Sequence, residues 1–106
     1  MKKKFHVSNS VYRSLARLFI EGVAWYDGSI DAVVELEVGD VNIFMSLSAF
    51  VSFERHVCLD TTNYLIKRVS VRQFEFEAYS KADNPRELET DFKIEKLVEA
   101  FDGMWA

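Results

Sequence analysis

His56, Cys58 and Asp60 stand at two-residue spacing. On an extended segment all three would project to one side, and each type can ligate a transition metal or assist nucleophilic chemistry. The set is incomplete for a closed zinc centre, which takes four ligands. The chain has no Cys-x-x-Cys or His-x-x-x-His, and the other histidine, His6, is remote in sequence. A hydrolase built around His56 and Cys58 therefore ranks last among the functional readings.

Glu35 and Glu37 also share one side of an extended segment, the spacing of a carboxylate pair for acid and base catalysis. Such a pair needs a concave, partly dry setting to separate its pKa values. Here the two alternate with apolar residues, as the wet face of a strand does. There is no Gly-x-Ser-x-Gly elbow, and the glycines at 22, 28, 39 and 103 are isolated, so no phosphate loop exists. The sequence assigns no catalytic residue, metal ligand or cofactor, and the chain is read as non-enzymatic.

The elements that position these residues are best defined at Val38-Gly39-Asp40-Val41. Glycine at the first central position suits a two-residue type II′ hairpin. Closing the loop there sets Val38 opposite Val41, Leu36 opposite Ile43, Val34 opposite Met45 and Ala32 opposite Leu47. These pairs are all apolar. The intervening pairs, Glu37 with Asn42, Glu35 with Phe44 and Val33 with Ser46, are mainly polar, so turn chemistry and hydrophobic pattern select one register. Asp27-Gly28 reads as a type I′ hairpin that pairs Trp25 with Ile30 and Val23 with Ala32. Three antiparallel strands are predicted over residues 23–26, 29–38 and 41–54.

Ser8 is placed to cap a first helix with Val11, Leu15, Leu18 and Phe19 on one side and Gly22 as its stop, Val7 and Tyr12 forming a hydrophobic staple. Arg13 and Glu21 each oppose the helix dipole, so tertiary packing must hold this helix. Residues 55–63 lose any period and are predicted to form a loop. Strand periodicity returns over 64–79, with a phase change between Val69, Val71 and Phe74, Phe76 that requires a bulge near Arg72 or Gln73. Residues 80–89, with the only proline in Asn84-Pro85, read as a linker or a helix start. A last helix carries Ile94, Leu97, Val98 and Phe101, with Thr90 or Asn84 as its cap and Gly103 as its stop.

The 106 residues, 49% apolar with fifteen aromatics, suffice for one core, so residues 1–106 form a single domain with a basic arm over 1–7. The expected fold is α+β: an antiparallel meander of four to five strands with an N-terminal and a C-terminal helix on one face, a two-layer sandwich. The sole cysteine fits a reducing compartment, and the basic start lacks the apolar run of a signal peptide, so a cytoplasmic location is expected. No apolar stretch approaches the length of a membrane span.

Charge is laid out unevenly. Residues 1–20 carry Lys2, Lys3, Lys4, Arg13 and Arg17 without an acid, whereas the 34 residues from 21 to 54 carry seven acids without a lysine or arginine. By register, Asp31, Val33, Glu35, Glu37, Phe44 and Phe50 share the outer sheet face. They are expected to bind a basic protein partner or a second subunit. The alternative is a nucleic-acid accessory role for Lys2, Lys3, Lys4, Arg13 and Arg17. The acidic balance, with pI near 5.1, argues against it. Trp105 either seals the last helix against the core or anchors a partner.

Overall fold

The structure, a computed structural model, describes residues 4–23 and 27–105. Its elements are β1 (Lys4–Phe5), α1 (Asn9–Glu21), β2 (Ser29–Val38), β3 (Val41–Cys58), β4 (Thr61–Ser80), β5 (Glu89–Thr90) and α2 (Ile94–Phe101). The chain is α+β. Among the described residues the main sheet has three antiparallel strands in the order β2-β3-β4, and β1 pairs in parallel with β5 apart from it. Four to five strands had been expected in one meander. The strand predicted over 23–26 falls on residues 24–26, outside the described ones, while Val23 is buried without strand pairing.

The β2–β3 hairpin has the predicted register along its whole length, from Val38 opposite Val41 to Ser29 opposite Phe50. Gly39 takes φ 57° and the following Asp40 does not share a positive φ, as a type II′ turn demands. At the other end of β2, Gly28 has φ 69° and lies against β3: its carbonyl accepts the Val51 N–H at 2.6 Å, and a Cβ there would stand 2.8 Å from the Val51 carbonyl oxygen. Only glycine meets both demands.

The predicted loop over 55–63 is instead the end of a long hairpin. β3 runs on to Cys58, and β4 starts at Thr61 after a two-residue turn of Leu59 and Asp60. Leu59 occupies the position that glycine holds in the first turn, at φ 53°. With both faces of these residues largely in water there is no alternation to read, and with leucine in the turn there is no turn signal. Among the described residues the ribbon past Ser29 has two strands, and the molecule measures 55 Å by 25 Å by 19 Å.

Two bulges interrupt β4. Ser48 pairs with Gln73 but Ala49 pairs with Val71, leaving Arg72 as the extra residue, one of the two positions, Arg72 or Gln73, that the phase change allows. Lys67 is extra at a second shift between Ser52 and Phe53. These shifts return Ala78, Val69 and Ile66 to the buried side opposite Ile43, Val51 and Phe53.

The core unites that sheet face with both helices. Leu15, Ala16 and Phe19 of α1 and Leu97 and Phe101 of α2 are buried in one cluster with Ile43, Met45 and Leu47. Ser8 caps α1 as predicted, its Oγ accepting the Val11 N–H at 3.4 Å, and Gly22 ends it. Val7 and Tyr12 are both buried, as a staple requires. α2 departs from expectation. Thr90 belongs to β5, Asn84 lies well upstream, and the cap residue is Lys93, which makes no side-chain capping bond. Its backbone N–H donates instead to the Tyr12 hydroxyl at 3.0 Å, so a residue of α1 supplies the acceptor. Phe92, just before α2, stacks on Phe76 at 4.2 Å and on Tyr12 at 5.6 Å.

Candidate interaction surface

Side chains alternate across the sheet, so a buried row fixes an outer row beside it. The register aligns Glu37, Asn42 and Tyr79 across the three strands, then Glu35, Phe44 and Glu77, then Val33, Ser46 and Glu75, then Asp31, Ser48 and Gln73. Asp31, Glu35 and Glu37 are exposed. Val33 is 75% exposed, Phe50 51% and Phe44 37%. The six residues singled out in the sequence thus share one open face. Glu75, Glu77 and Tyr79 join them and went unread, because their sidedness depends on which residue of β4 bulges.

Local contacts organise this face. Phe44 meets Tyr79 edge to face at 6.0 Å, and the Tyr79 hydroxyl donates to Glu77 Oε2 at 2.9 Å. That bond to a carboxylate, followed by desolvation and the charge of Glu77, raises the Tyr79 pKa. Glu37 Oε1 pairs with Lys81 Nζ. At the opposite end, the extruded Arg72 lies 5.0 Å over the Phe50 ring, and Arg68 pairs in register with Ser52. The outer face is therefore acidic near the β2–β3 turn and basic near the ribbon.

Of the residues of the nucleic-acid alternative, Lys4, Arg13 and Arg17 are described. Lys2 and Lys3 lie outside the described residues, and Lys4 sits in β1 in register with Glu89. Arg13 and Arg17 are exposed on α1, where Arg17 Nη1 donates to the Trp105 carbonyl at 2.9 Å. Both arginines rim an open groove of about 470 Å³ between α1 and the edge strand β2, with Leu18 and Leu36 in its lining.

Trp105 bridges to Leu65 on the outer edge of β4, and its ring meets His56 edge to face at 5.0 Å. Glu54 Oε1 approaches His56 Nε2 to 3.0 Å without hydrogen-bond alignment, and Glu54 Oε2 lies 3.3 Å from Lys67 Nζ. Cys58 is exposed beside the turn. No group of three or more His, Cys, Asp or Glu side chains converges among the described residues. No helix among them is long and apolar enough to cross a membrane. Comparison with family models, with curated proteins and with solved structures returns no match.

Proposed function

We propose that the protein is a non-enzymatic cytoplasmic interaction module whose outer sheet face binds a basic segment of a protein partner. One observation carries the reading: Glu35, Phe44 and Glu77 form a single cross-strand row, a phenyl ring flanked by carboxylates, with Glu37 and Glu75 in the adjoining rows and Asp31 one row beyond. Exposed aromatics supply contact area, and carboxylates of one sign steer cations toward it.

Glu35→Lys/Glu77→Lys inverts the row at two exposed sites without touching the core. Partners captured by the intact chain and lost by this variant, through segments rich in lysine and arginine and with weaker capture at raised salt, support the reading. An identical set of partners with both proteins overturns it.

A further inference from the structure

The open edge of β2 lies beside the acidic face. β2 ends the sheet, and among the described residues no backbone group bonds to its outer side over Val33–Val38. A two-residue hairpin makes Val38 and Val41 a hydrogen-bonded pair, and such pairs alternate along an antiparallel ladder. Leu36 and Val34 therefore bond inward to Ile43 and Met45, and Val33, Glu35 and Glu37 direct their N–H and C=O groups to the open edge. The residues with free backbone are the ones whose side chains point to the outer face.

On the inner side the edge opens into the groove between β2 and α1 that holds Leu36 and Leu18, with Arg13 and Arg17 at its rim. A strand added to β2 would have its side chains sorted by these surroundings. Every second side chain would lie beside Glu35 and Glu37, where cations gain. The side chains between would enter the groove, where Leu36 and Leu18 favour apolar groups and the arginines repel cations. Pairing with another copy's β2 would instead bring like carboxylates together, a common protection of sheet edges.

We infer that the basic partner binds as an extended segment that adds an antiparallel strand to Val33–Val38, with lysine or arginine at alternate positions and apolar residues between. The inference rests on the proposed function and specifies how the basic segment docks. Backbone bonds supply register, Glu35 and Glu37 select the cations, and the stems of the cationic side chains cover exposed Val33.

The test titrates the intact protein with a short capped peptide of alternating lysine and valine. The controls are the same peptide N-methylated on its lysine backbone nitrogens, and a peptide of equal composition with lysines and valines in separate blocks. The alternating peptide is expected to bind about tenfold or more tightly than either control, as loss of several edge hydrogen bonds implies. Val33→Pro removes one outward N–H while leaving the bonds to β3 and the charge intact, a position where an edge strand accepts proline. It should weaken the alternating peptide and not the block peptide.

Equal affinity of all three peptides overturns strand addition. If Glu35→Lys/Glu77→Lys then weakens all three, the acidic-face reading survives it. If that charge reversal changes nothing either, both readings fall. Absence of binding by the alternating peptide also overturns strand addition.

Discussion

Asp91 Oδ1 accepts the backbone N–H of Val7 at 2.7 Å, while Asp91 Oδ2 lies 2.6 Å from Nδ1 of the adjacent His6. One carboxylate thus joins the entry to α1 with the segment leading into α2. The Val7 bond first, and then the His6 bond, lower its pKa from 3.8 to about 2. A carboxyl group depressed in the fold stabilises it at pH values above its unfolded value, and that contribution disappears as pH falls through the folded one. Between pH 3.8 and about 2 the intact protein should lose melting temperature more steeply than Asp91→Asn. A gap between the two proteins that stays constant over that range would contradict this role.

Gly28 and Gly39 both have positive φ but differ in surroundings. A Cβ at Gly28 meets the Val51 carbonyl, whereas one at Gly39 meets nothing within 4 Å. Gly39→Ala should cost about 1 kcal/mol from backbone strain alone, and Gly28→Ala at least about 2 kcal/mol, since β2 and β3 must also separate. Urea denaturation of the two variants tests the order, and equal losses would show that the close approach to Val51 is immaterial.

Leu59 presents the reverse case. It is 95% exposed and holds a left-handed backbone conformation that its side chain disfavours. Leu59→Gly should therefore raise stability by up to about 1 kcal/mol, with Leu59→Asn close behind. Denaturation midpoints for both variants at or below that of the intact protein would remove the strain from this turn.

Ile43 and Phe44 are neighbours on β3 with opposite surroundings, one fully buried and the other on the outer face. Ile43→Ala should cost about 2 to 5 kcal/mol. Phe44→Ala loses little beyond its edge contact with Tyr79 and should cost about 1 kcal/mol. Reversal of that order in chemical denaturation would place the core on the wrong side of the sheet.

What could be read from the sequence was what local chemistry determines. Gly39 and the alternation around it specified the β2–β3 register, Ser8 the start of α1, and the phase of Val71 and Phe74 a bulge at Arg72 or its neighbour Gln73. What could not be read depends on distant residues. The start of α2 is held by the Tyr12 hydroxyl bonded to the Lys93 N–H, far outside any local window. The Leu59 turn carries a residue type that signals no turn. With that hairpin unread, the place of β4 stayed open and so did the sidedness of Glu75, Glu77 and Tyr79, which is why only part of the acidic face was legible.

The chain order of the layers also bears on how they come together. All three main strands are sequence neighbours joined by two-residue turns, whereas the helices that cover them come from opposite ends of the chain. Hairpins can zip from their turns at small loop-closure cost, but the helices must find each other across the whole intervening sequence. In refolding, the slow event is expected to be the meeting of Phe19 and Phe101 over a sheet already formed, so truncating either ring should retard refolding more than relieving strain at Leu59 accelerates it.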